Sequence, residues 1–209
     1  MKYKIKEIRP NIFAISVKSK YERAMLFCRV QEFYESPSEK FRGKRFGIWD
    51  YFRWYAGKKG CFSYPSDWSG FNLPLVVAKK CCDTSPCETP YDLVMSEIVS
   101  ETFSNGKRQY LIGVENTKDS LFKHEMAHAL YYTDLGYKEE MDSITESLPK
   151  NVLDSLKKNL KGLGYDQTVF KDEVQAYLST EQNPVICKGL RGLKKITRRY
   201  VEVFKRHNK

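Results

Sequence analysis

The apolar positions of the chain fall into short runs rich in β-branched residues and longer stretches at helical spacing. Residues 11–17 (NIFAISV) follow Pro10 and mix β-branched with aromatic side chains, which predicts a strand. Residues 21–34 (YERAMLFCRVQEFY) predict a helix stopped by Ser36 and Pro37, apolar on more than one side and therefore buried. Ile48, Phe52 and Tyr55 recur at helical spacing and predict a short helix over residues 47–56, ended by Gly57 and Gly60. Residues 66–70 (SDWSG) read as a turn and residues 73–78 (LPLVVA) as a strand. Thr89 and Pro90 open a helix that runs to about Phe103, with Thr at the cap and Pro in the first position. After the Asn105-Gly106 turn, residues 108–115 (RQYLIGVE) predict a strand.

From there the pattern is helical. Residues 121–132 (LFKHEMAHALYY) place Phe122, Met126, Ala129 and Leu130 on one apolar face, and Asp119 or Ser120 can cap the start. Within residues 147–164, Leu153, Leu156, Leu160 and Leu163 form a second stripe, ended by Gly162 and Gly164. Residues 190–204 form a third, with Leu193, Ile196, Tyr200, Val203 and Phe204 on one face and Lys194, Lys195, Arg198 and Arg199 off it. Strand signals before residue 118 and helical signals after it give the α+β class. We expect a single domain with a sheet-containing part over residues 1–118 and a helical part over residues 119–209.

Composition supports one core. The chain has 209 residues, 41 % of them hydrophobic and 14 % aromatic. It has no run of about 18 apolar residues, so no membrane span is expected, and its first residues (MKYKIKEIRPNIF) lack the apolar region of a secretion signal. Both observations predict a cytoplasmic protein. The six cysteines are then expected to be reduced. Cys81, Cys82 and Cys87 cluster in a turn-rich stretch, but their spacing is irregular for a metal site, which favours a loop with free thiols.

Charge is unevenly placed. Residues 1–80 carry 17 Lys and Arg against 7 Asp and Glu; residues 81–187 carry 10 against 18; residues 188–209 carry 9 against 1. Two basic ends therefore flank an acidic middle. They either neutralise it or offer a surface for nucleic acid or an acidic partner, and no nucleic-acid motif accompanies them. All three tryptophans (Trp49, Trp54, Trp68) lie in residues 40–71 among Arg and Lys. Aromatic residues at this spacing predict a satellite core; a peptide cleft or a base-stacking surface is the alternative.

The acidic middle holds His124, Glu125 and His128 in the pattern H-E-x-x-H, which uses two of the three histidines. Positions four apart lie one turn apart on a helix face, so both imidazoles can reach one metal ion. Glu125 stands about 100° around the helix from His124, where its carboxylate can take a proton from an attacking water. A catalytic zinc site takes three protein ligands, so one more is required. Glu146, Glu173 and His207 are the candidates. Glu146 has polar neighbours, and His207 lies in the terminal KRHNK. Glu173 shares its face with Phe170, Ala176 and Tyr177, where a lone carboxylate would be costly without a cation. Glu173 is therefore favoured.

These residues resemble the gluzincin branch of the zincin metallopeptidases: His124-Glu125-Met126-Ala127-His128, then Glu173 with Ala176 three positions on. The resemblance covers about residues 108–180. It implies a zincin-like fold, one zinc ion held by His124, His128 and Glu173, Glu125 as general base, and hydrolysis of a peptide or protein substrate. The chain departs from the thermolysin-like pattern, which has Asn before the ligand Glu and Asp four after; Asp172 and Tyr177 stand there instead. The strand before the active-site helix is commonly an edge that binds extended substrate in zincins, with an ordinary interior strand as the equal alternative, and Gly113 would permit close approach of another backbone. An oxyanion donor is also needed. Tyr177 is the first choice, with Tyr131, Tyr132 and Tyr137 as competitors, and Asp142 or Asp172 could hold a ligand histidine through its second nitrogen. The alternative function is a zincin-fold protein without peptidase activity, whose basic ends bind nucleic acid or a protein partner.

Overall fold

The computed structural model describes residues 1–118, 120–180, 185–190 and 192–209. Asp119, expected as a helix cap, lies outside the described residues, as does the side chain of Leu193. The protein is α+β, mainly helical with a small mixed sheet. Its contacts divide it into two compact units, Met1–Phe122 and Lys123–Lys209. No helix among the described residues is long and apolar enough to cross a membrane.

The first unit is built on a four-stranded sheet. Strands β1 (Lys4–Arg9) and β2 (Ile12–Ser16) form an antiparallel hairpin. It turns at Asn11, whose φ of 69° is left-handed, and the Asn11 N–H donates to the Glu7 carboxylate at 2.9 Å. Strand β2 pairs in parallel with β4 (Tyr110–Val114), and β3 (Phe71–Pro74) pairs antiparallel with β4 on its other side. Of the two placements open to this strand, substrate edge or interior, β4 takes the interior one: it is buried along its whole length, with both hydrogen-bonding sides in use. Gly113 also serves a different purpose. A Cβ there would stand 2.4 Å from the Phe27 ring, so this glycine admits an aromatic side chain rather than a second backbone.

Helix α1 (Lys20–Glu35) begins where the Ser19 side chain accepts from the Glu22 N–H. It is buried almost all round, as its composition requires. Its Arg23 donates to the carbonyls of Val17 and Ser69, and its Arg29 to the carbonyl of Phe46 and to Asp92 and Glu88. Helix α2 (Ile48–Lys59) runs through Gly57 and stops at Gly60, left-handed at φ 84°. The aromatic segment, expected as a satellite core, is instead part of the main core of the first unit, in one cluster with Ile15, Val17, Phe27, Leu73 and Leu111. Tyr51 packs against Phe41, Phe46, Trp54, Tyr55 and Tyr64, while Trp49 and Trp68 remain 53 % and 47 % exposed. Helix α3 (Tyr64–Asp67) occupies the start of the expected turn.

The strand expected over residues 73–78 ends at Pro74, and helix α4 (Leu75–Thr84) begins at the next residue. Leu75, Ala78 and Cys81 are its buried positions, three apart along one helix stripe. Cys81 and Cys82 therefore lie on a helix and not in a loop; the cysteines are free thiols. Helix α5 (Pro90–Thr102) opens with a full capping box in which Thr89 and Asp92 exchange side-chain and backbone hydrogen bonds.

The unit boundary falls in the first turn of α6 (Ser120–Thr133). The second unit continues with α7 (Leu135–Glu146), α8 (Lys150–Gly162), a 3-10 turn (Gln167–Val169), α9 (Phe170–Thr180) and α10 (Leu193–His207). Helix α9 packs against α7, α8 and α10. The core stripe of α8 is Val152, Leu156 and Leu160; Leu163, expected on it, is 44 % exposed because the helix ends at Gly162. Helix α10 buries Tyr200, Val203 and Phe204, and the Tyr200 hydroxyl meets Thr145 of α7 at 2.9 Å.

Candidate metal centre

Helix α6 carries His124, Glu125 and His128 with their side chains buried, on a helix anchored by Met126, Ala129 and Leu130. Helix α9 brings Asp172 and Glu173 in its first turn, where acidic side chains suit the positive end of the helix dipole. The ligand atoms of His124, His128 and Glu173 all lie within 4.8 Å of one another, the one such cluster found among the described residues. The Nε2 atoms of the two histidines face each other at 3.2 Å, and His128 Nε2 stands 3.9 Å from Glu173 Oε1.

Two imidazole lone pairs cannot share that gap, so a proton or a cation must lie between them. Either is consistent with the surroundings. Burial holds the His124 pKa down, helped by the neighbouring His128. Burial also works to lower that of His128, but the charges of Asp172 and Glu173, the hydrogen bond to Asp172 and the charge of Glu125 outweigh it and raise the pKa. Without a metal, His128 is the proton donor of the pair. The donor set also fits a zinc ion. The N···N separation is close to the edge of about 3.3 Å that a tetrahedron with metal–nitrogen bonds of about 2.0 Å requires. His124 Nδ1 is buried and has no hydrogen-bond partner among the described residues, and Nε2 is the nitrogen that faces the cluster.

The other candidates are placed elsewhere. Glu146 is exposed and binds Lys171 at 2.6 Å, and His207 sits between Asp134 and Glu140 at 2.9 Å from each. Asp142 pairs with Lys138 and accepts from Tyr131, which takes Tyr131 out of the site. Tyr137 is buried with its hydroxyl on Gln175. Asp172 is the carboxylate at His128, 2.8 Å from Nδ1. Tyr177 lies against the His124 ring, with centroids 4.7 Å apart. Its hydroxyl meets that of Tyr165 at 2.9 Å.

Tyr165 and Gln175 carried no signal in the sequence: one lies in the irregular stretch after Gly164, and the other is a lone amide on an amphipathic helix. A groove of about 470 Å³ between α7 and α10 is lined by Glu139, Glu140, Arg199, Glu202 and Arg206 and includes none of the cluster. Comparison with protein-family models, curated proteins and solved structures gave no match to this chain.

Proposed function

We propose that the protein is a zinc-dependent metallopeptidase with a zincin-like, gluzincin-type site, hydrolysing peptide bonds. The observation behind this reading is the convergence of His124, His128 and Glu173 on one point, with Glu125 one residue from the first of them. Zinc, when bound, supplies Lewis acidity, which polarises a scissile carbonyl and lowers the pKa of a water toward about 7. The remaining work belongs to the chain. His124, His128 and Glu173 are the holding groups, and Asp172 orients the His128 ring. Glu125 accepts the proton of the attacking water and returns it to the leaving amine. Tyr177, beside His124, is the side chain we assign to the developing oxyanion, with Tyr165 setting the direction of its hydroxyl.

The alternative, a non-peptidase protein whose basic ends bind nucleic acid, has less behind it. On α10, Arg198 and Arg206 already pair with Glu202 and Glu140. Metal analysis and one substitution test the main reading. Protein purified without chelators is expected to carry about one zinc per chain. Glu125→Gln is expected to keep that zinc and lose cleavage of a mixed fluorogenic peptide library. Metal-free protein, or a Glu125→Gln variant that still cleaves, would overturn it.

A further inference from the structure

A chain of hydrogen bonds runs from α7 into the site, buried at Tyr137 and Gln175 and partly exposed at Asp172. The Tyr137 hydroxyl donates to Gln175 Oε1 at 2.6 Å. Gln175 Nε2 donates to Asp172 Oδ1 at 2.9 Å, and the same oxygen lies 2.8 Å from His128 Nδ1. Tyr137 and Gln175 are fully buried, so water cannot replace either of them. We propose that Gln175 and Tyr137 are positioning residues for the metal site: through Asp172 they fix which nitrogen of His128 is left to bind metal. This inference rests on the metallopeptidase reading.

The direction of every bond in the chain is determined. The Gln175 amide turns its NH2 toward Asp172 and its oxygen toward Tyr137. Burial pushes the Tyr137 pKa far above its usual value, so its hydroxyl keeps its proton and remains a donor. A reversed amide would set the buried Gln175 oxygen against the carboxylate and turn its NH2 toward the Tyr137 hydroxyl. Held in this way, Asp172 Oδ1 faces His128 Nδ1 as an acceptor and requires N–H there. The lone pair of the neutral ring is then on Nε2, the atom that faces His124 Nε2 and Glu173.

A role confined to packing would cost stability and leave metal binding alone, which separates the two cases. Gln175→Met keeps the length of the side chain and removes both hydrogen bonds. We expect it to weaken zinc binding by the intact protein roughly 10–100-fold in chelator competition, the range for groups that orient a ligand histidine. The cobalt-substituted protein should also show a shifted visible absorption spectrum. Tyr137→Phe, which deletes one oxygen, should weaken zinc in the same sense but less, and it decides the matter if Gln175→Met does not fold. Thr145→Val is the control. It breaks the buried bond to Tyr200 in the same unit, away from the site, and should lower stability with zinc affinity unchanged.

Wild-type zinc affinity and an unaltered cobalt spectrum in Gln175→Met, or in Tyr137→Phe if that variant has to stand in, would overturn the relay and leave the metallopeptidase reading intact. Wild-type protein that binds no zinc would overturn both.

Discussion

The Phe27 ring lies over Gly113, its nearest atom 2.4 Å from where a Cβ would stand. Helix α1 can sit this close to β4 only because residue 113 has no side chain. The ring is fully buried and stacked on Phe71 at 5.2 Å, so it has little room to move aside. Gly113→Ala is therefore expected to destabilise the protein by about 1–3 kcal/mol. A lower urea midpoint at constant m-value would show this; an unchanged midpoint would mean that the ring swings away.

Glu173 and Glu146 were both open as third ligand, and they are placed very differently. Glu173 stands by His128, whereas Glu146 is exposed and tied to Lys171. Glu173→Gln should weaken zinc binding by at least tenfold, while Glu146→Gln should leave it unchanged. Equal effects in a chelator titration would remove Glu173 from the ligand set.

Glu32, in the first unit, is 5 % exposed, and its Oε2 has no hydrogen-bond partner among the described residues. Burial raises its pKa to about 7, against the opposing hydrogen bonds of Ser36 and Tyr51. The folded protein then holds a proton that the unfolded chain releases at its ordinary value of 4.5. This contribution to stability is full below 4.5 and is lost as pH rises to about 7, a change on the order of 3 kcal/mol at about 1.4 kcal/mol per unit. Glu32→Gln should flatten that part of the stability–pH curve. If the variant and the wild type change in parallel between those pH values, the carboxyl is not the cause.

His207 is clasped at both ring nitrogens, by Asp134 at the start of α7 and by Glu140 within it. Burial works against the charged ring, but the hydrogen bonds and charges of Glu140 and Asp134 prevail and raise its pKa. The clasp therefore contributes fully below the usual histidine value of 6.5 and is lost as pH rises through the higher folded value. Amide protection factors at the end of α10 should fall over that rise in the wild type. In His207→Gln they should be low throughout; a pH dependence of protection that survives the substitution would assign it to another group.

Elements whose cause is local were legible before any fold was known. Thr89, Pro90 and Asp92 specify the start of α5 among themselves. The buried stripe of α6 and the four-residue separation of His124 and His128 follow from helix geometry alone. Glu173 could be preferred over Glu146 because its helical neighbours are apolar. Other features have no local cause. The LPLVVA run is equally apolar as strand or helix, and what divides it at Pro74 is the pairing of β3 with β4. Strand β1 went unread because its exposed Lys4, Lys6 and Glu7 suit an edge, where one side of the strand faces solvent.

The sequence alone determined which side chains could hold a metal and which carboxylate could act beside it, because those depend on residue type and helical repeat. Tertiary structure decided the rest. The parallel pairing of β2 with β4, about a hundred residues apart in the chain, makes β4 interior and denies it to a substrate strand. The packing of α7 on α9 sets Tyr137 against Gln175 and so directs Asp172 to His128. Both are contacts between segments far apart in sequence, whose partners are chosen by burial and by the need to satisfy buried polar groups, and neither choice is written in any one segment.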